Sequence, residues 1–402
     1  MLAQSIASCP DFRSDQSSRP RGNGTRSLKS ALIAALKAAG ASRDLGEVRR
    51  IHGVAIQRGL LQSDVFVANS VISMYAKCGS MEEAREVFQG MGFRDVVSWN
   101  ALIGGYAEAG GPGSEIALGY FEQFQQENGC SSSSRTFVAA VKACAGLAAR
   151  EEATLLDGRV LVKKRSLELG MALHSQAAKD GFERDLYVSS SLVDMYAKCG
   201  SLLDARRIFE RMPERNAVSW TALISGYAES GDGETALEIF ERFFRSFPVD
   251  GRALVAAIKA CGCVAVKEKA SLVAGQVVKM LSLERGMAIH SMAGSETDIF
   301  VASSLVDMYA KCGRMEEARR VFDGIPGRDH DVVLWTSLIQ GYAENDELDL
   351  AFGIFASGVG FHGANSQTFV AVLKACSGLA SIEQLTQVEG KLVKIKSLQR
   401  AV

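Results

Sequence analysis

The sequence predicts an all-α protein, an α-solenoid of stacked antiparallel helix pairs that forms a right-handed superhelix. Three observations predict this fold. Segments recur in a fixed order, apolar residues recur at helical spacing, and only 6 of 402 residues are proline. A lone helix pair of this length cannot bury its apolar stripe, so each pair must stack on its neighbours.

The repeats come first, because they decide the fold. The segment Val-Ser-Trp-Asn-Ala-Leu-Ile around Trp99 returns around Trp220, 121 residues later, and around Trp335, a further 115 residues on. Two other segments repeat in step. Met-Tyr-Ala-Lys-Cys-Gly contains Tyr75, Tyr196 and Tyr309, and the third segment contains Lys37, Lys142, Lys259 and Lys374. Three kinds of unit therefore alternate.

Each unit is predicted to be two short helices. Trp99, Leu102, Ile103 and Tyr106 fall at i, i+3, i+4 and i+7, which makes one apolar stripe. We interpret the three tryptophans as core anchors of such stripes.

The turn between the two helices also has a sequence signal. Gly79 suits the position just after a helix. Ser80 and Glu83 have the spacing of a capping box at the start of the next helix. Ser201 with Asp204 repeats this pattern less well, and Arg314 breaks it.

Composition excludes several classes of protein. The net charge of −1 argues against a basic surface over the whole molecule but is compatible with a local basic groove. The sequence contains no run of about 18 apolar residues, so no membrane span is predicted. Residues 1–28, rich in Ser and Arg, are expected to be a disordered leader and a possible transit peptide.

The sequence predicts no chemistry. The nine cysteines form no C-x-x-C pair and are expected to be reduced, mostly buried thiols. His52, His174 and His290 recur at one register, more than 100 residues apart, and are interpreted as packing residues. Phosphate-loop, dinucleotide and nucleophile-elbow motifs are absent. We therefore expect a protein that is not an enzyme, with no metal or cofactor.

These motifs resemble the plant pentatricopeptide repeat (PPR) proteins that alternate P, L and S units, and they are specific to that family. The resemblance covers about residues 29–402, some nine units and an incomplete last one. L units span 29–64, 134–185 and 251–298, with the incomplete one from 366. S units span 65–95, 186–216 and 299–331, and P units span 96–133, 217–250 and 332–365. No H-x-E with a later P-C-x-x-C is present, so the deaminase of some relatives is absent.

Two L units depart from the family pattern by being long. Lys37 to His52 is 15 residues, whereas Lys142 to His174 is 32. The extra stretch is itself repeated, beginning at Val162, Val278 and Val393 and ending at Leu167, Leu283 and Leu398. An additional helical turn or a surface loop is expected there.

The resemblance implies that single-stranded RNA is read one base per unit by the fifth residue together with the last. The implied pairs in S units are Asn69 with Asp95, Ser190 with Asn216, and Ser303 with Asp331. Those in P units are Asn100 with Ser133, Thr221 with Asp250, and Thr336 with Asn365. In this order the implied bases are U, A and G, then C, G and A. The L units have Ile33, Val138, Val255 and Val370 at the fifth position and should read weakly.

The second residue of each S and P unit is implied to wedge between bases. These residues are Phe66, Val97, Tyr187, Val218, Phe300 and Val333. The plainer interpretation is that the fifth residues cap helices and the second residues are ordinary surface. Lys77, Lys198 and Lys311 could meet phosphates, or could only balance the charge of a helix C-terminus.

The resemblance implies a mitochondrial or chloroplast protein that supports editing, splicing or stabilisation of RNA. Its partners would be organellar single-stranded RNA and other RNA-processing proteins that supply catalysis in trans, with no membrane. A tetratricopeptide-like scaffold for protein binding is the alternative, because Trp99, Leu102 and Tyr106 also fit that pattern. That pattern requires Gly after the Leu, where this chain has Ile103.

Overall fold

The computed structural model describes residues 23–127, 132–156, 160–273, 276–294, 298–325, 332–358 and 366–379. Within them lie 20 helices and two short antiparallel strand pairs, which confirms the predicted all-α class. The chain divides into two compact units, residues 1–214 and residues 215–402.

The first unit contains eleven helices and one strand pair. The helices are α1 (Asn23–Ala41), α2 (Leu45–Gln57), α3 (Leu60–Ser63), α4 (Val65–Lys77), α5 (Met81–Gln89), α6 (Val96–Ala109), α7 (Pro112–Gln126), α8 (Ser134–Ala148), α9 (Lys164–Lys179), α10 (Leu186–Lys198) and α11 (Leu202–Arg211). Strands β1 (Thr154–Leu156) and β2 (Val160–Val162) lie between α8 and α9. Helix α1 begins inside the segment that was expected to be a leader.

The second unit contains nine described helices and a second strand pair. Its helices are α12 (Ala217–Glu229), α13 (Gly233–Phe244), α14 (Gly251–Lys267), α15 (Met280–Met292), α16 (Ile299–Lys311), α17 (Met315–Gly324), α18 (Val332–Glu344), α19 (Leu348–Gly358) and α20 (Ser366–Leu379). Strands β3 (Ser271–Val273) and β4 (Gln276–Val278) lie between α14 and α15.

The first helices of successive repeats pack against each other. In the first unit this layer is α1, α4, α6, α8 and α10, and in the second it is α12, α14, α16, α18 and α20. Each first helix also packs on the second helix of its own repeat. Any side chain on the free face of a first helix therefore lies beside the equivalent side chain of the next repeat.

The tryptophans anchor the packing within the repeats, as predicted. Trp99 is 1% exposed and meets Phe88 edge-on with ring centres 4.8 Å apart. Trp220 is also buried and lies against Phe243. Trp335 is only half-buried, yet its ring centre lies 4.7 Å from that of Phe322.

The turn after each S-unit first helix uses glycine as predicted, but the cap differs from the prediction. Gly79 has φ +76°, a conformation that only glycine adopts freely. The Ser80 hydroxyl does not accept from the next helix; instead it donates to the Glu83 carboxylate. Arg314 fills the same role by donating through Nε to Glu317, at 2.9 Å. The contact therefore joins two side chains, and the predicted capping box is wrong.

The long L units contain a strand pair, where a helical turn or a surface loop was expected. The repeated stretch that begins at Val162 runs from the end of β2 into the first turn of α9. Leu155 pairs with Leu161 in the first strand pair. The strand pair packs against the next S unit through Val162, which is buried, and the Lys163 N–H donates to the Cys199 carbonyl at 2.9 Å. The second strand pair repeats this contact from Lys279. Extended β-branched residues suit such a ladder.

A half-buried carboxylate replaces the missing cap at the helix that follows each strand pair. Glu151 accepts from the backbone N–H groups of Arg165 and Ser166 and from the Ser166 hydroxyl. Glu268 makes the same three bonds at the start of α15. Negative charge at a helix N-terminus is favourable, and the repeated geometry shows that the insert is an integral part of the L unit.

Candidate nucleic-acid interface

A concavity of about 650 Å³ lies between α6 and α8 and extends to the start of α10. Four residues that the sequence had marked meet there: Val97, Asn100, Val138 and Tyr187. They are the second and fifth residues of a P unit, the fifth of the L unit and the second of the following S unit. The packing of first helices thus brings together side chains up to 90 residues apart.

Sequence reasoning missed two basic residues in the same concavity. Arg135 and Lys142, both on α8 and both exposed, are part of its lining. The sequence did contain a signal for Lys142, because a lysine recurs at this position in every L unit. A recurring residue that is exposed is not explained by packing. These side chains place positive charge beside Asn100, where a polyanion would need it.

In the first S unit, the fifth and last residues touch each other. The Asn69 amide donates through Nδ2 to the Asp95 carboxylate at 3.0 Å. The amide oxygen of Asn69 has no hydrogen-bond partner. Burial acts to raise the pKa of Asp95, but hydrogen bonds from Ser98 and from Asn69 outweigh it, and the pKa lies below its usual value. Asp95 is therefore a carboxylate that holds the Asn69 amide in one orientation.

The first P unit repeats this arrangement with an uncharged partner. Asn100 donates through Nδ2 to the Ser133 hydroxyl at 3.1 Å, and its amide oxygen likewise has no partner. A buried polar atom without a partner costs about 1–3 kcal/mol. Both asparagines thus keep an acceptor available to a donor that none of the described residues supplies.

The fifth residues with hydroxyl groups behave differently. Ser190, Ser303 and Thr336 are buried and donate to the backbone carbonyl four residues earlier, at 2.6–2.8 Å. Thr336 also contacts the Thr368 hydroxyl. Thr221 is half-buried. The proton of a back-bonded hydroxyl is already in use, so these residues offer a ligand no hydrogen-bond donor.

The last residues, rather than the fifth ones, are the helix caps. Asp95, Ser133, Asn216 and Asp250 each accept from the backbone N–H three residues later. This corrects the plainer interpretation, which gave capping to the fifth residues. Asp331 and Asn365 lie outside the described residues. Ser190 and Asn216 lie in different compact units.

The second residues form the largest exposed apolar feature of the first helices. Phe66, Tyr187 and Phe300 are 70%, 67% and 64% exposed, and Val97, Val218 and Val333 are about half exposed. Each lies three residues before a fifth residue, which puts the two on the same helix face. Large apolar side chains that are exposed at the same register in successive repeats indicate a surface that binds a ligand.

Two of the three S-unit lysines are paired within their own helix. The Lys198 ammonium lies 2.8 Å from Asp194, and that of Lys311 lies 2.8 Å from Asp307. The first S unit has Ser73 at that register, so Lys77 has no such acid four residues before it. A phosphate contact thus suits Lys77 better than the other two.

The recurring histidines are packing residues, as predicted. His52, His174 and His290 each hydrogen-bond through Nδ1 to a tyrosine hydroxyl of the following S unit, at 2.8–3.1 Å. Burial lowers the pKa of all three histidines. The cysteines whose side chains the structure describes are free thiols: Cys78, Cys144, Cys199, Cys261, Cys263 and Cys312.

Two features are absent from the part of the chain that the structure describes. No group of His, Cys, Asp and Glu side chains there is arranged to hold a metal ion. None of the described helices combines the length and the apolar character needed to cross a membrane.

The repeats match a known family model. The PPR repeat model matches residues 66–96, 97–124, 187–216, 218–246, 300–329 and 333–357. All six matches begin on one of the exposed second residues, and all six fall on S and P units.

Curated proteins and solved structures agree with that match. A mitochondrial pentatricopeptide repeat-containing protein of Arabidopsis thaliana is 34% identical over 93% of this chain and 33% of the relative. A chloroplastic one from the same plant is 31% identical over 86% of this chain and 50% of the relative. The chain thus spans about a third to a half of their length. The crystal structure of PPR10 in complex with an 18-nt psaJ RNA element is similar in fold, with a TM-score of 0.61, 15% identity, and coverage of 93% of this chain and 54% of that chain.

Proposed function

Because the chain is built of repeats of the PPR family, we propose that it binds single-stranded RNA along its first helices, one base per S or P unit. The observation that carries the proposal is the register itself. Each exposed second residue lies one turn before a polar fifth residue, in six units.

Stacking supplies the part of the binding that does not depend on sequence. A base placed between the second residues of successive units would cover apolar surface that is now exposed. Stacking of a base on a side chain contributes about 1–3 kcal/mol. Duplex RNA presents no unstacked bases, so this surface selects single strands.

The amide oxygens supply base selection. A base inserted beside Phe66 or Val97 would meet Asn69 or Asn100 at the bottom of the groove, with the amide oxygen free to accept. Uracil offers its N3–H and cytosine its exocyclic amine as the donor. This chemistry supports the pyrimidine preference that the family implies for both units.

Charge in the groove fits the same ligand. Arg135 and Lys142 line the concavity that contains Asn100, and Lys77 has no carboxylate four residues before it. Glu108 and Asp185 also line the concavity, so its two acids balance Arg135 and Lys142 and the groove has no net positive charge. Binding should therefore depend on stacking as much as on phosphate contacts.

The finer assignments are part of the proposal. The order of units supports the P-L-S subclass, without a deaminase in this sequence. The mitochondrial and chloroplastic relatives support a role in one of these organelles. There the chain would select a transcript for editing, splicing or stabilisation, and other RNA-processing proteins would supply the chemistry.

The experiment is a selection from a randomised single-stranded RNA pool, followed by affinity measurements on the selected RNA, its duplex form and the same sequence as DNA. We expect tight binding to the single strand, weak binding to the duplex, and affinity that falls with rising salt. In the same selection, Thr221→Asn should move one position from G toward a pyrimidine. Equal binding to duplex and single strand, or no enrichment at all, would leave the protein-binding scaffold as the better explanation.

A further inference from the structure

A second cleft lies in the first compact unit, away from the concavity that contains Asn100. It measures about 570 Å³ and opens between α9, α10 and α11. Three arginines line it, Arg184, Arg207 and Arg211, against two acids, Glu183 and Asp204. We call it the arginine cleft.

Some charged groups in the arginine cleft have hydrogen-bond partners and others do not. Asp204 accepts from the Ser201 hydroxyl at 2.7 Å and from Arg207 at 3.0 Å. Within the residues that the structure describes, Arg184 and Arg211 make no hydrogen bond or ion pair. Two guanidinium groups therefore face the same space with their donors directed at solvent.

Packing does not require these arginines, because the first S unit is built the same way without them. Ser63, Glu86 and Gly90 stand where the second S unit has Arg184, Arg207 and Arg211. That site forms a smaller hollow of about 320 Å³, in which Glu86 gives the opposite charge.

The third S unit is intermediate. It has Arg320 at the second of the three positions and Gly324 at the last. The cluster of three is thus a feature of one copy of a repeated unit, which separates it from the requirements of the fold.

The floor of the arginine cleft is apolar and rigid. Met212 is 5% exposed, and Ile208 is half-buried. Tyr196 is held by its hydroxyl, which hydrogen-bonds His174 at 3.1 Å. A volume of this size suits a ligand of a few residues, and an apolar floor with charged walls suits one that has both kinds of side chain.

We propose that the arginine cleft binds an acidic, partly apolar segment of a partner protein. Guanidinium groups bind carboxylates through paired hydrogen bonds. With three arginines against two acids, the cleft has a net charge of about one positive unit, which matches carboxylates spaced along a peptide. A polyphosphate would bring more negative charge than the arginines balance, and would bring it close to Glu183 and Asp204.

The position of the cleft leaves RNA binding undisturbed. Its arginines lie on α11 and on the turn before α10, whereas the proposed base contacts lie on the first helices. The two surfaces can therefore be occupied together, and the proposal stands or falls independently of RNA binding.

The test measures fluorescence anisotropy of a labelled peptide of alternating glutamate and leucine with the full chain. The wild type should bind it, and the same peptide with glutamine in place of glutamate should not bind. Arg184→Ser with Arg207→Glu, which installs the side chains of the first S unit, should weaken binding at least about tenfold. Arg206→Glu is the matched control, because this exposed arginine is on the same helix outside the cleft, and it should leave the affinity unchanged.

Three results would overturn the proposal. These are no binding of the acidic peptide by the wild type, equal loss in the Arg206→Glu control, and displacement of the peptide by tripolyphosphate or oligouridine at lower concentration than by unlabelled peptide. Circular dichroism melts confirm that each variant folds. If the double variant unfolds, Arg211→Ala alone should still weaken binding.

Discussion

The S units at residues 65–95 and 186–216 share the Met-Tyr-Ala-Lys-Cys-Gly signature, and all but the last two residues of the second lie in the same compact unit as the first. They nevertheless differ in three places. The first has a fifth residue with a free amide oxygen, Asn69, and the second has a back-bonded hydroxyl, Ser190. In the first S unit no acid lies four residues before Lys77, whereas in the second Lys198 forms an ion pair with Asp194.

The third difference is the neighbouring L unit. Gly79 has open space around it, whereas a Cβ at Gly200 would collide with the carbonyl oxygen of Leu161 in strand β2. One helix-pair framework therefore serves two purposes. The first copy keeps its polar groups available to a ligand, and the second uses more of them, and its turn, for contacts inside the protein.

The largest expected effect concerns the two glycines. Both have φ near +80°, so alanine at either position should cost about 1 kcal/mol of unfolding free energy. Gly200→Ala must also displace the backbone of strand β2 and should cost about 3 kcal/mol. Urea unfolding of both variants measures the difference. If both variants lost the same unfolding free energy, strand β2 would not be in close contact with the turn at Gly200.

The next effect tests what the two S units share. Phe66→Ala and Tyr187→Ala should each weaken binding of single-stranded RNA by about 1–3 kcal/mol, because each removes a stacking surface. Stability should hardly change, since both side chains are mostly exposed. Phe93→Ala is the matched control, because Phe93 is 68% exposed but lies outside the second register. A loss of affinity in that control would indicate general surface adhesion.

A smaller effect separates the fifth residues. Asn69→Ala removes an acceptor that nothing else replaces, and should reduce discrimination at one base by about 1–2 kcal/mol. Ser190→Ala should have a smaller effect, below about 0.5 kcal/mol, because its proton is bonded to the Leu186 carbonyl. Competition with RNAs changed at single positions measures both. A larger effect from Ser190 would contradict the comparison.

The smallest effect concerns the lysines. Lys77→Met should lower the slope of log affinity against log salt by about one, as for a lost phosphate contact. Lys198→Met should leave the slope unchanged, because Asp194 already neutralises this lysine. Affinity titrations at several salt concentrations give the slopes. An equal change in both would mean that the ion pair opens when RNA binds.

Much of the fold could be predicted because the same sequence pattern recurs in each repeat. The stripe that starts at Trp99 and the turn at Gly79 depend on local spacing, which sequence shows directly. The strand pair could not be predicted in this way, because strands of three residues are too short to show an alternation of apolar and polar residues. Its place is fixed by a distant contact, from Lys163 to Cys199.

Candidate positions for the site could be proposed from the sequence, but the contacts of these residues could not. Family resemblance gave the register of Asn69 and Asp95, and the structure adds which amide atom is left without a partner. The pairing of Lys198 was legible in the sequence, because Asp194 lies four residues before it. The contribution of Arg135 to the groove depends on how neighbouring first helices pack, and no local pattern indicates that.

The most direct measurement of the central claim is a selection from a randomised RNA pool with the Asn69→Ser variant beside the wild type. The account predicts that preference changes from U toward G at one position and stays the same at every other, because one side chain meets one base. An unchanged preference, or a change spread over the whole site, would contradict recognition of single bases by side chains aligned on the first helices.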